Sequence, residues 1–381
     1  MDVRGLILVH SENEVAVPLE DRLPFASPPL ALLDVAGYSP MLRMARRMEE
    51  FGISPVVSVV EEQKPSFARA QILPAQLECR AASPERFWRA AEIAFNDQAT
   101  SGADLVVVVR LGGYAEIDFE RFIRYHLERQ CRVTRAIHEA QTLDILCING
   151  SRRNDAASLF RSGLGRCRSE CEYFVHQGYI NALADARDVR QFAIDILTLK
   201  TETPTAGKEV RPGVWIAPGA CVEKGARILA PSFIGASALI RDGAVITRCA
   251  TVENHAQIDC GTVVENCTVL AYTSVGACLD LAHSVAGFGQ IVHLRRGVVT
   301  DVADTKLLGQ VSQTIGERLA GSAVQLPRKI WNSLFGGTDH PDAMEPTLAP
   351  APSQVLQEAC SQETSAEMGP HLVIARRYGD Q

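Results

Sequence analysis

The sequence has no surplus of positive charge. Its 38 lysines and arginines are outnumbered by 45 aspartates and glutamates, so the formal net charge is −7. A basic excess draws proteins to nucleic acids and anionic membranes, and we therefore expect neither partner. The sequence also has no nucleic-acid-binding motif and no apolar run near the roughly 20 residues of a membrane helix. Residues 1–4 lack the basic region of a secretion signal, so we predict a cytoplasmic protein without a transmembrane segment.

The cysteines follow no pattern that would indicate a disulfide framework or a zinc finger. There are 11 of them, irregularly spaced and without a CxxC pair. Cys249 and Cys267 lie 18 residues apart, at one position of the repeat described next, so coil stacking would bring them together. A soft metal could bind to such a pair, but a small buried thiol is the favoured interpretation. We predict no metal site.

An aliphatic residue returns at every sixth position in the second half of the chain, and a small residue follows each of them four positions later. The aliphatic positions are Ile216, Val222, Ile228, Ile234, Ile240, Ile246, Val252, Ile258, Val264 and Leu270. This hexapeptide pattern is typical of a parallel β-helix, in which stacked coils bury a shared aliphatic column. The phase slips by one residue at Val275, which predicts that the regular coils end there.

Strand and helix signals alternate over roughly the first 200 residues. We predict a buried strand at residues 5–10, a helix at 38–51 that Gly52 ends, and a strand at 53–60. A further helix at 84–96, a central strand at 104–109 and a helix at 118–129 follow. This alternation predicts an α/β domain with a mainly parallel sheet.

Three segments resemble the sugar-1-phosphate nucleotidyltransferases, or NDP-sugar pyrophosphorylases. Residues 106–126 (VVVVRLGGYAEIDFERFIRYH) are similar to that family's strand, metal loop and helix. Residues 33–42 and 51–54 resemble its substrate-side turn and first helix, and residues 178–188 (GYINALADARD) the segment before its last helix. The hexads resemble the left-handed β-helix that such enzymes often carry at the carboxyl terminus. The resemblance therefore implies an α/β Rossmann-like nucleotidyltransferase domain followed by a left-handed parallel β-helix of hexapeptide repeats.

Most of the residues that the family's chemistry needs are absent. The family holds a triphosphate on a glycine-rich loop with basic residues, and two aspartates hold a metal that stabilises the developing charge. Here the first strand is followed by His10, Glu12 and Glu14, whose carboxylates would repel phosphates, and Ser27-Pro-Pro replaces a Lys-Pro pair. The two metal aspartates fall on Gly112 and Ala182. The resemblance thus indicates a catalytically degenerate member, with no cofactor.

Displaced carboxylates offer an alternative in which the enzyme is active. Glu116, Asp118 and Asp185 lie near the lost positions and would then hold Mg²⁺, although Asp118 also suits the cap of the helix that begins at Phe119. Weaker ligand-binding candidates are Arg110, Gly112 and Gly113, which follow the central strand; the glycine pair is also compatible with a simple turn.

A hexapeptide-repeat acyltransferase is a second alternative. Such enzymes use a β-helix histidine as a general base, and His255 and His283 are the candidates. Neither histidine lies in an insertion that would build an acyl-donor groove, so a stacked or turn histidine is the favoured interpretation.

The sequence predicts four segments. Residues 1–205 form the nucleotidyltransferase-like domain, 212–294 the left-handed β-helix, 295–336 a helical segment and 337–381 a mostly disordered tail. We expect a non-catalytic regulatory or scaffold subunit of nucleotide-sugar metabolism. Its expected partners are a sugar nucleotide, a catalytic paralogue and further copies of the same chain.

Overall fold

The computed structural model describes residues 1–10, 23, 25, 28–62, 77–139, 141–150, 160–161, 164 and 171–311. These residues belong to one compact unit, Met1–Gln313, so the domain boundaries predicted at 205 and 212 fall inside it. The predicted tail at 337–381 lies outside the described residues, as does the predicted helical segment from 312 onward.

A mixed sheet of seven strands forms the first part of the chain, with the strand order β3-β2-β1-β4-β7-β6-β8. Strands β3, β2, β1 and β4 run parallel to one another. Strand β7 is antiparallel to both β4 and β6, and β8 is parallel to β6. The strands are β1 (Val3–Val9), β2 (Val56–Glu61), β3 (Glu78–Ala82), β4 (Leu105–Arg110), β6 (Val133–His138), β7 (Gln141–Asn149) and β8 (Cys171–Val175). The short strands β5 (Tyr114–Ala115) and β9 (Ile180–Asn181) form a separate antiparallel pair.

Helices cover both faces of this sheet. The described bounds are α1 (Pro40–Glu50), α2 (Phe87–Thr100), α3 (Phe119–Glu128) and α4 (Ala186–Leu197), with 3-10 helices at Leu30–Leu32 and Pro84–Arg86. Alternate residues of the central strands point to opposite faces, so Val107 and Val109 join one core and Val106 and Val108 the other. The helices α1, α3 and α4 pack on the first face and α2 on the second. The strands and helices predicted between residues 5 and 129 are confirmed; the sheet is mixed, because β7 runs antiparallel to both of its neighbours.

Short strands in three sheets make up the second part of the chain, an arrangement compatible with a parallel β-helix. We call residues 214–287 the coil region. The first sheet contains β10 (Lys208–Arg211), β11 (Val214–Ile216), β14 (Ser232–Ile234), β17 (Ala250–Val252), β20 (Thr268–Val269), β23 (Ser284–Gly287), β24 (Gln290–His293) and β25 (Val298–Asp301). The second contains β12 (Cys221–Val222), β15 (Leu239–Ile240), β18 (Gln257–Ile258), β21 (Thr273–Val275) and β26 (Leu308–Gln310), and the third β13 (Arg227–Ile228), β16 (Val245–Thr247), β19 (Val263–Glu265) and β22 (Asp280–Ala282).

The hexapeptide pattern predicts the interior of the coil region. Most of the aliphatic positions, such as Ile240, Ile246 and Ile258, are buried in one apolar cluster, whereas Ile216 and Val222 at its first coil are half-buried. Successive coils pair in register at a spacing of 18 residues, as Ile234 does with Val252. Each sheet therefore receives one strand from every coil.

The phase slip lies earlier than the sequence indicated. Thr251 pairs with Thr268, so the spacing falls to 17 residues in the turn between β19 and β20. Val269, not Leu270, consequently aligns with Val252. The predicted stacking of Cys249 on Cys267 is wrong for the same reason. In this register Cys267 aligns with Ala250 of the preceding coil, and the Cys267 side chain is buried.

Strands replace the predicted helix immediately after the coils. The predicted helical segment at 295–336 begins with β25 and β26, where Val298 pairs with His293 and Leu308 with Val275. Backbone pairing with strands already present explains the difference, because these residues extend two sheet edges.

Candidate functional site

Three neighbouring parallel strands end at the same edge of the mixed sheet. Val9 of β1 pairs with Val60 of β2, and Leu8 with Arg110 of β4. His10, Glu61 and Arg110 therefore lie side by side where these strands end. The carboxyl edge of parallel strands is where open α/β sheets bind their ligands.

His10 and Glu61 form one half of this edge. The His10 Nε2 atom lies 3.8 Å from Glu61 Oε2, and both side chains are largely buried. The imidazole also packs against α2, with ring centroids 4.8 Å from Phe87 and 5.6 Å from Trp88. The helix thus fixes the position of the histidine over the ends of β1 and β2.

Arg110 and Trp88 form the other half. The guanidinium carbon of Arg110 lies 5.4 Å from the centroid of the Trp88 ring, and its Nη1 atom is 3.7 Å from Asp144 Oδ2. Asp144 belongs to β7, which runs antiparallel to β4, and it lies opposite Arg110. Trp88 keeps 41% of its surface exposed. An exposed indole beside a cation can stack on a planar or sugar ring and contact an anionic group attached to it.

The segment that contains Gly112 and Gly113 lies against the segment that contains Ala182. A Cβ atom built on Gly113 would lie 3.0 Å from the carbonyl oxygen of Asn181 and 3.3 Å from that of Ala182. The pairing of β5 with β9 holds the two segments at this distance. Gly112 donates its N–H to Arg110 O at 2.9 Å, which starts the turn after β4. Neither Gly112 nor Ala182 supplies an oxygen ligand, so these residues do not fit Mg²⁺.

The displaced carboxylates have structural partners. Glu116 is 5% exposed and accepts hydrogen bonds from the N–H groups of Glu202 and Thr203, at 2.7 and 3.1 Å, and from the Thr203 hydroxyl. Asp118 caps α3 by accepting from Arg121 N at 3.0 Å, and Asp185 caps α4 by accepting from Arg187 N at 2.7 Å. The predicted cap at Asp118 is therefore confirmed. Within the described ranges, no three His, Cys, Asp or Glu side chains come together to hold a metal ion.

The two acyltransferase candidates lie apart from this edge, on different coils. His255 follows β17 and stacks on Tyr272, with ring centroids 4.7 Å apart and the planes 10° from parallel. His283 lies between β22 and β23, where its Nδ1 atom is 2.5 Å from Asn266 Nδ2. Both have a positive φ, as expected for turn positions.

A buried polar junction joins the coil region to the turn at residues 34–38, and no sequence pattern indicated it. Glu253 is fully buried and accepts the N–H groups of Ala36 and Gly37, both at 2.9 Å. Asn254 donates to Asp34 Oδ2 at 2.8 Å. Burial and the neighbouring Asp34 carboxyl raise the pKa of Glu253 to about 8. Burial also raises the pKa of Asp34, to about 6.

Arg43 of α1 completes this junction. Its guanidinium is buried and donates to the carbonyl oxygens of Val35 at 2.6 Å and Pro204 at 2.8 Å. Burial lowers its pKa, while the carboxyls of Glu253 and Asp34 act in the opposite direction. The turn that resembles the family's substrate-side turn is thus fixed from α1 and from the coil region together.

Sequence reasoning from a single chain missed Glu61, Trp88 and Asp144. They come from β2, α2 and β7, and only the strand order brings them together. The one usable signal was that Glu61 ends a strand parallel to β1, at the edge where ligands are expected.

None of the helices in the described part of the chain combines the length and apolar character that a membrane crossing requires. No protein-family model matches the chain, and a search of curated proteins finds no match either.

Proposed function

We propose that this protein binds a sugar nucleotide without catalysing nucleotidyl transfer, as a regulatory or scaffold subunit of nucleotide-sugar metabolism. In this proposal the first part of the chain is a Rossmann-like nucleotidyltransferase domain and the coil region is a left-handed β-helix. The protein would be cytoplasmic and would bind its ligand there. A catalytic paralogue or further copies of the chain would be the protein partners.

The strand order supports the fold assignment. The order β3-β2-β1-β4 is the one found in half of a doubly wound nucleotide-binding sheet. The hexads add the coil architecture that such enzymes often carry. Fold resemblance alone does not establish activity, so the argument for function rests on the site.

One observation carries the proposal: Gly113 lies against Ala182. Residues 112 and 182 were matched to the family's two metal positions from separate segments, 70 residues apart in the chain. Gly113, the neighbour of Gly112, lies against Ala182, so the two segments are as close as a shared metal site would require, which supports the register of the resemblance. Because the two positions carry hydrogen and methyl side chains, the same observation argues against catalysis that depends on a metal held there.

Trp88 and Arg110 supply the binding chemistry. A nucleotide base or sugar ring can stack on the exposed part of the indole, and the Arg110 guanidinium can approach an attached phosphate. Asp144 pairs with Arg110 and Glu61 lies at the same edge, so Arg110 gives this edge no net positive charge. We therefore expect ring contacts to contribute more to affinity than charge does.

In the active-enzyme alternative Glu116, Asp118 or Asp185 would hold the metal. Each of these carboxylates accepts at least one main-chain hydrogen bond that holds a loop or a helix start. These bonds give each carboxylate a structural role that needs no metal, so we keep the non-catalytic proposal.

Thermal unfolding in the presence of NTPs, NDP-sugars and sugar 1-phosphates, each with and without Mg²⁺, tests the proposal. Ligand binding adds about 2.7 kcal/mol at a hundredfold excess over Kd, so modest affinities are visible. We expect an NDP-sugar to stabilise the protein equally in Mg²⁺ and in EDTA. Trp88→Ala should abolish this shift, whereas Tyr173→Ala, at another exposed aromatic, should not. Metal-dependent turnover of an NTP with a sugar 1-phosphate would contradict the proposal.

A further inference from the structure

A cationic face lies where the last coil meets α4, in a chain whose net charge is negative. We define it by His283 of the coil region, His293, Arg295 and Arg296 of the hairpin that follows, and Arg190 of α4. His283 O accepts the N–H of Leu294 at 2.9 Å, which places the hairpin beside the histidine. Arg295 and Arg296 are exposed.

Arg190 is anchored by the shortened turn of the coil. Its Nη2 atom donates to Cys249 O at 2.8 Å and to Asn266 Oδ1 at 2.7 Å, and its Nη1 atom lies 3.3 Å from Thr268 Oγ1. The Asn266 amide in turn contacts His283. The one-residue shortening between β19 and β20 therefore builds a continuous polar chain from α4 to His283. The Nε atom of Arg190 is buried, and it has no hydrogen-bond partner.

Few negative charges oppose this face. Glu265 faces His283 but also pairs with Arg248, and Asp185 pairs with Arg187. Among the described residues, no carboxylate lies within ion-pair distance of Arg295 or Arg296. The pKa of His283 is lowered, first by burial and then by Arg295, with His293 and Arg190 acting in the same direction.

We propose that the cationic face binds a small anion carrying a phosphoryl group. Two guanidinium groups on one hairpin can form charge-assisted hydrogen bonds to tetrahedral oxygens, and His283 and His293 can each donate a further one when protonated. A bound dianion would supply the negative charge that the described part of the chain does not bring to Arg295 and Arg296. Free phosphate and the diphosphate of a larger metabolite share this chemistry.

Titration calorimetry with inorganic phosphate and with pyrophosphate tests the site on the full chain. We expect one anion per chain, and Arg295→Gln with His293→Gln should weaken its binding by about tenfold or more. Tighter binding of pyrophosphate would identify a diphosphate as the source, and equal binding a free phosphate. Arg227→Gln, at an exposed arginine of the first coil, is the matched control and should change Kd by less than about twofold.

Sulfate provides a second readout, because its charge does not change in the accessible pH range. Its binding should strengthen as the pH falls below about 6.5, because His283 gains a proton only below the usual imidazole range now that its pKa is lowered. His283→Gln should lose most of this dependence, because glutamine does not titrate.

Two results would overturn the proposal. One is the failure of phosphate, pyrophosphate and sulfate to bind to the wild-type chain. The other is binding that the cationic-face variant leaves unchanged while it retains the wild-type unfolding transition. Loss of NDP-sugar binding in Trp88→Ala reports on the sheet edge alone, so the two proposals can fail independently.

Discussion

The interior of the coil region and its junction with the mixed sheet are held together by opposite means. The coil interior is an aliphatic column with alanines and one cysteine between the larger side chains. The junction places the buried ionisable side chains of Glu253 and Arg43 against backbone partners. Apolar burial is non-directional, so it stabilises the stack without fixing what docks on it. Buried polar groups each need a matching partner, so the junction specifies a single arrangement of the two parts.

Truncating the aliphatic column should have the largest effect on stability. Ile246→Ala removes a fully buried side chain and should lower the free energy of unfolding by about 2 to 5 kcal/mol, because a cavity remains. Leu229→Ala, at a position that is 52% exposed, should change it by about 0.5 kcal/mol or less. Urea denaturation measures both. Equal effects would show that the column does not hold the coils together.

Breaking the junction should have the next largest effect. Glu253→Ala leaves the buried N–H groups of Ala36 and Gly37 without an acceptor, which costs about 1 to 3 kcal/mol for each group. Loss of a costly buried carboxyl offsets part of this. The control is Glu265→Ala, at a partly exposed ion pair with Arg248, which should change stability by about 1 kcal/mol or less. An unaltered urea midpoint in Glu253→Ala would contradict the polar description of the junction.

The junction should also make stability depend on pH, unlike the aliphatic column. Glu253 and Asp34 have pKa values of about 8 and about 6 in the folded chain, above their ordinary values of 4.5 and 3.8. Between the ordinary and the raised pKa of each carboxyl, the folded state therefore binds more protons than the unfolded state. The stability that this pair contributes is consequently lost as the pH rises toward 8. Asp34 retains some exposed surface, so Glu253 should contribute more.

Urea denaturation of the wild type and of Glu253→Gln over this pH range measures that dependence. The variant should have a flatter profile, because glutamine does not titrate. Identical profiles would show that the carboxyl of Glu253 is ionised throughout.

Introducing carboxylates at positions 112 and 182 should have the smallest effect on stability, but it tests the position of the candidate site. The double variant Gly112→Asp and Ala182→Asp places two carboxylates where the chain segments meet. Carboxylate oxygens are the ligands that Mg²⁺ prefers, so thermal unfolding of the variant should shift upward by a few degrees or less when Mg²⁺ is added. The wild type should not respond, and the single variant Ala182→Asp, with one added carboxylate, should respond less than the double variant. The absence of a shift would place positions 112 and 182 outside a common site.

Periodicity explains why much of the coil region could be predicted and why its last part could not. An aliphatic residue every sixth position gives the strands directly, because the same spacing recurs in each coil. Near the slip both Val269 and Leu270 are aliphatic, and both Cys267 and Thr268 are small, so two phases fit the sequence equally well. The docking of Arg190 on Asn266 accompanies the shorter turn, and such a contact between distant segments leaves no local pattern.

Prediction of the mixed sheet from the sequence has the same limit, because contacts between distant segments leave no local pattern. Ser39 before Pro40 and Asp118 before Phe119 are helix starts that short-range rules identify. Trp88 and Asp144 are adjacent to Arg110 only because of the strand order and the side of the sheet on which α2 packs. Glu253 occupies a turn position in the sequence pattern, and its burial depends on the turn at residues 34–38.

Titration calorimetry with NDP-sugars in EDTA, combined with an assay for pyrophosphate release from NTPs and sugar 1-phosphates in Mg²⁺, tests the central claim most directly. We predict that an NDP-sugar binds to the wild type without metal, that Trp88→Ala loses this binding, and that no pyrophosphate is released. Metal-dependent release of pyrophosphate by the wild type, or the failure of every NDP-sugar to bind, would contradict the proposed function.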